Sequence, residues 1–148
     1  MEREHILQYI RTILKERLGA SVTVTRNIRR AASVKELPVV FIIDNGDEVL
    51  EPDSGPISKR VMRIDIESVF QGSTEEKTPE ELADFQLRIR RALFGEECRR
   101  IVGTTYTGSI YETRISEIEL PHRLGPKTAV QRIGFEVAYL EDIRRLFE

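Results

Sequence analysis

The sequence predicts an α+β protein with two helices packed on one face of a mostly antiparallel β-sheet, in the order α-β-β-β-α-β-β. Three observations predict it. Apolar residues recur at spacings of three and four in two separate stretches, Glu4 to Leu18 and Pro79 to Phe94, which is the period of a helix with one buried stripe. Polar and apolar residues alternate sharply within Val61 to Glu67, and every second residue from Ile133 to Tyr139 is large and apolar, the period of a half-buried strand. Turn-forming Gly and Pro clusters separate these stretches. With 148 residues and 40% apolar content, the chain is the size of one domain built on one core, spanning 1–148.

Each element follows from its residues. In the first helix Ile6, Leu7, Ile10, Ile13, Leu14 and Leu18 form the stripe, and Gly19 supplies a left-handed stop. Val22 to Thr25 alternates like a short strand, and the basic stretch around Arg26, Arg29 and Arg30 leads onward. Leu37 to Ile43 is apolar on both faces, which suits a central strand. It is expected to pair with Arg60 to Phe70 as a hairpin, with Met62, Ile64, Ile66 and Phe70 on the dry face and Arg63, Asp65 and Glu67 on the wet one. The segment Asp44 to Pro56, acidic and containing Asn-Gly, reads as an unusually long hairpin loop. Thr78, Pro79 and Glu81 predict the second helix start, with Thr78 as cap and Glu81 completing a capping box. Leu82, Phe85, Ile89, Ala92 and Leu93 form its buried face and Gly95 its stop. Thr104 to Leu120 reads as a strand whose apolar residues change parity, predicting a bulge or bend. Pro121 to Pro126 is a turn, and Lys127 to Leu140 is the last strand, with Ile133, Phe135, Val137 and Tyr139 inward and Arg132 and Glu136 outward.

Charge bounds the function. The 23 basic and 25 acidic residues nearly cancel, so no global field draws the chain to nucleic acid or a membrane, and neither sequence-specific nucleic-acid binding nor membrane association is expected. The N-terminus opens directly into the helical pattern, which predicts a soluble protein made inside the cell. Cys98 is a single thiol without a disulfide partner. His5 and His122 lie far apart and are expected to be exposed, and no phosphate-binding glycine motif is present.

Two chemistries suggest themselves. Asp44, Asp47, Glu48, Glu51 and Asp53 are rich in oxygen ligands, but Gly46 falls where an EF-hand needs a ligand, leaving at most a loose magnesium site. Asp44 with Asp65 and Glu67 offers carboxylates for a two-metal nuclease, although alternating charges are ordinary on the wet side of a sheet. No cofactor is expected. The arginines lack interleaved aromatics for stacking bases, and arginine is favoured at protein interfaces, so charge-paired subunit contacts with the acidic segment are the alternative.

The order of elements resembles that of the tail-terminator (minor tail) proteins of long-tailed bacteriophages and prophages. The resemblance lies in the helix Glu4 to Leu18, the Pro-led apolar strand Leu37 to Ile43, the extended loop, the alternating strand Arg60 to Phe70, the helix Pro79 to Phe94 and the closing strand pair. It is one of pattern, without a diagnostic motif. It implies a non-enzymatic protein that forms a hexameric ring, caps the tail tube, stops its polymerisation and offers the surface to which the head joins. The implied partners are further copies of the chain, the tail-tube protein and a head-completion or connector protein, in the virion tail and in the host cytoplasm during assembly. The contact candidates are Arg29, Arg30, Asp47, Glu48, Glu51, Asp53, Arg63, Asp65, Glu67 and Arg132. A head-to-tail connector, a small adaptor binding through its sheet edge and a magnesium-dependent enzyme using the acidic segment are the other readings.

Overall fold

A computed structural model describes residues 2–26, 37–50, 57–94 and 110–142. Helix α1 (Glu2–Leu18) precedes the short strand β1 (Thr23–Thr25) and the long strands β2 (Val39–Val49) and β3 (Ile57–Gln71). Helix α2 (Thr78–Phe94) is followed by β4 (Ile110–Ile118), β5 (His122–Arg123) and β6 (Thr128–Asp142). The main sheet runs β1-β2-β3-β6-β4, with β5 also paired to β6. Among the described strands only β1 and β2 pair in parallel. The α+β class and the two helices on one face agree with the sequence pattern.

The core sits between the helices and that face. Both predicted helical stripes are buried, and all of their residues except Leu82 join one cluster with Val40, Ile42, Met62, Ile64, Ile66, Phe135, Val137 and Tyr139. Full burial of each such aliphatic or aromatic side chain stabilises by about 1.5–3 kcal/mol. Phe94 meets Phe135 edge-on at 5.4 Å, and Phe70 stacks with Phe85 at 5.2 Å. Gly19 ends α1 at φ 87°, the conformation expected of a helix stop. The Leu18 carbonyl there accepts a hydrogen bond from Arg88 Nη2 of α2 at 3.2 Å. Within the buried layer, Gln86 Nε2 donates to Ser68 Oγ, while among the described residues Gln86 Oε1 finds no hydrogen-bond partner.

Three local expectations are corrected. The segment from Asp44 onward is not a loop as far as Val49: β2 continues, pairing Asp47 with Met62, Glu48 with Val61 and Val49 with Arg60. A bulge absorbs the Asn-Gly pair that suggested a turn, since β2 advances three residues from Asp44 to Asp47 while β3 advances only two, from Ile64 to Met62. Gly46 takes φ 95° and donates its N–H to Asp44 Oδ1 at 2.9 Å, a turn-like bond inside a strand. Second, Glu81 does not close a capping box on Thr78; it accepts from the Ser73 N–H at 3.3 Å, and Thr78 instead donates its hydroxyl to Thr74 O at 2.6 Å. The extra turn at Thr74 to Lys77 displaces the cap upstream. Third, the Pro121 to Pro126 turn contains β5, with His122 opposite Val130 and Arg123 opposite Ala129. The predicted interruption of the strand that becomes β4 is present as register shifts between Ile110 and Glu112 and between Ile115 and Glu117. The part of that expected strand before Ile110, together with Gly95 and Cys98, lies outside the described residues.

Gly72 is where the upstream turn packs onto the sheet. Its N–H donates to Lys127 O at 2.7 Å, and a Cβ there would lie 2.8 Å from Thr78 Cα. The Thr78 hydroxyl and Cβ block the space together with that backbone atom, and because the Cα cannot swing aside, Gly72→Ala is expected to destabilise by about 2 kcal/mol. Urea unfolding should show a lower midpoint at unchanged slope; an unchanged midpoint would contradict this packing.

Candidate interaction surface

The bulge gives β2 two polar faces. Before it, Val40 and Ile42 point to the helices; after it, the phase is reset so that Asp44 and Asp47, three residues apart, both lie on the helix side. There they hold Arg3 of α1: Nη2 pairs with Asp44, and Nε donates to Asp47 Oδ1 at 3.0 Å. Asp47 Oδ2 accepts a 2.6 Å hydrogen bond from the Tyr139 hydroxyl. Arg60 lies 3.8 Å from the same oxygen and 3.0 Å from Glu141. Burial alone lowers the pKa of Arg3, but its hydrogen bond to Asp47 and the charges of both aspartates outweigh this and raise it. Nearby, Arg26 grips Glu4 through both its terminal nitrogens, at 2.9 and 3.0 Å, tying the end of β1 to α1. The hydrogen bond from Arg26 holds the Glu4 carboxyl below its ordinary pKa.

The opposite face of the sheet carries a row of alternating charge. Glu48 of β2 pairs with Arg63 of β3 at 2.9 Å, Arg63 lies 3.9 Å from Glu136 of β6, and Glu136 accepts from Arg114 of β4 at 2.8 Å. This is a cross-strand series of opposite charges, acid to base, four strands wide. A groove of about 230 Å³ runs over it, floored by Val61 and Ala138. A second group lies further along the strands: Arg132 donates to Asp65 Oδ2 at 3.1 Å and also pairs with Glu119, while Asn45 donates to the same Asp65 oxygen. Gly134 makes room for it, since a Cβ there would stand 3.2 Å from Asp65 Oδ1 and 3.3 Å from Ser116 Oγ. Burial lowers the Arg132 pKa, and Asp65 with Glu119 more than offsets that, so the net shift is upward. Glu67 sits in register between Phe41 and Arg132 and is almost wholly buried.

Of the contact candidates, the structure thus brings Glu48, Arg63, Asp65, Glu67 and Arg132 to one face, while Asp47 points the other way. Arg29, Arg30, Glu51 and Asp53 lie outside the described residues. His5 and His122 are exposed, as expected. The carboxylates of the two-metal reading are not brought together, because Asp44 and Asp65 occupy opposite faces and each is held by an arginine. Among the described residues, no group of three or more His, Cys, Asp or Glu is placed to hold a metal ion. None of the described helices is long and apolar enough to cross a membrane. Sequence reasoning missed Arg3, Arg114, Glu119 and the hydroxyl of Tyr139. Arg114 and Glu136 were within reach of the two-residue period, but their meeting depends on the register of β4. The search of protein-family models finds no match, and no curated protein matches the sequence.

Tyr139 is fully buried. Burial, then the hydrogen bond and negative charge of Asp47, push its pKa far above the ordinary value of about 10. A raised folded-state pKa favours the neutral phenol, so its contribution is fully present below pH 10 and is lost progressively as the pH rises above it. Tyr139→Phe is expected to cost about 2 kcal/mol, since it removes one partner of a shielded carboxylate. In an alkaline absorbance titration the variant should lose the tyrosine signal that appears only with unfolding. Retention of that late signal would show that Tyr139 is not its source.

Proposed function

We propose that this chain is a ring-forming structural subunit of the tail-terminator kind, which caps the tail tube of a long-tailed phage or prophage and offers a surface for head joining. The observation that carries the reading is a sheet with open edges whose outer face bears alternating charge. Among the described residues β1 covers β2 only from Val39 to Phe41, and no strand pairs with the outer side of β4. Open edges with mixed charge suit heterologous contacts between identical subunits, which close into rings when the rotation allows. The element order of the resemblance is also kept, except that its extended loop is largely strand as far as Val49. A head-to-tail connector would use the same kind of surface. The magnesium-enzyme alternative is disfavoured by Asp44 and Asp65 facing apart, each against an arginine.

Light scattering behind a sizing column tests the proposal. Six copies of the 17.1 kDa chain make a self-limiting species of about 103 kDa, whose mass should not change when EDTA removes magnesium and which should appear as a ring in negative stain. A monomer at every concentration, also when purified tail tubes are added, would overturn it.

A further inference from the structure

The two ends of the charge row differ in sign. Among the described pairs the row runs from Glu48 on β2, whose side chain is 56% exposed, to Arg114 on β4, 67% exposed. Among the described residues these strands carry the uncovered sides of the sheet, since no strand pairs outside β4 or outside β2 beyond Phe41. On β2 the opening is direct: the Asp47 side chain is only 14% exposed although the residue as a whole is exposed, so its exposure lies on the backbone facing outward. Strand direction is compatible as well. β2, β3, β6 and β4 alternate in direction, so a second copy's β2 laid beside β4 continues the antiparallel order.

Resting on the ring reading above, we propose that successive copies join edge to edge, the β4 edge of one against the β2 edge of the next, with Arg114 meeting Glu48 of the neighbouring copy. The seam then prolongs the series of Glu48, Arg63, Glu136 and Arg114 into the next Glu48 without placing like charges side by side. The second polar group does not oppose this: it presents Glu117 at the β4 side and the neutral Asn45 at the β2 side. The register shifts in both edge strands keep either edge from pairing with an arbitrary strand, so the seam is specific to the matching edge. A contact of this form is heterologous, joining two different patches, and leaves each copy one donor edge and one acceptor edge.

The test uses charge reversal and mixing of full-length chains. Glu48→Arg gives a chain with two basic row ends, and Arg114→Glu one with two acidic ends. Each alone is expected to lose the high-mass species and run at 17.1 kDa while keeping the wild-type circular dichroism spectrum. Mixed in equal amounts they are expected to recover it, because each then meets an opposite end; a misfolded variant could not recover. Persistence of the assembly in both single variants would overturn the seam while leaving the ring reading in place. Loss in each without recovery on mixing would also overturn it. Wild-type chain that is monomeric throughout would overturn the seam as a contact formed by this chain unaided, whereas the ring reading is judged separately with tail tubes present.

Discussion

The bulge at Asn45 and Gly46 is the constraint on which the polar organisation depends, because it decides which way the side chains of β2 point beyond Ile43. In an unbroken strand Asp44 and Asp47 would lie on opposite faces. With one extra residue inserted, both reach Arg3 and Asp47 reaches Tyr139, so the start of α1 is fastened to the sheet end. The same shift puts Glu48 on the far face beside Arg63. Gly46 makes this possible by adopting a positive φ at no steric cost.

The two polar faces have different energetic standing. Asp47 is shielded and receives Tyr139, Arg3 and a nearby Arg60, so removal of any one partner leaves charge with less compensation. Glu48 and Arg63 are more than half exposed, and an exposed pair of that kind contributes at most about 1 kcal/mol. The outer row is therefore of little use to the stability of a single chain. Its consequence is a pattern of potential, and such patterns govern orientation and choice of partner more than affinity.

Much of the fold was legible because burial follows periodicity. Ile6 to Leu18, Leu82 to Leu93 and the alternating residues of β3 and β6 announce themselves by spacing, and all face the predicted core. Asn-Gly failed as a signal because the same left-handed preference serves a hairpin turn and a bulge; only the continued pairing of Asp47 to Val49 with β3 separates them. The candidate surface was half legible. Its β3 residues follow from alternation, whereas Arg114 becomes part of it through two register shifts, and Arg3 through the packing of α1, neither of which is encoded locally. The parallel pairing of β1 with β2 is likewise a tertiary choice, fixed by where Leu18 and Gly19 return the chain.

Charge and apolar exposure act on the same edges in complementary ways. Val49, Leu50 and Ile57 are exposed at the hairpin end of the sheet, and Ile118, Leu120 and Leu124 towards the opposite end of the strands. Apolar contact is non-directional, so on open edges by itself it would favour association in many registers. A net charge of only −2 adds no general repulsion to prevent this. In the proposed seam the alternating row would supply the missing direction: sliding a neighbour along the edge would move Arg114 away from Glu48, and turning it over would set Arg114 against Arg114. Specificity of that kind comes from the penalty on wrong arrangements, and weak, exposed ion pairs would then govern the proposed assembly while its driving force lies elsewhere.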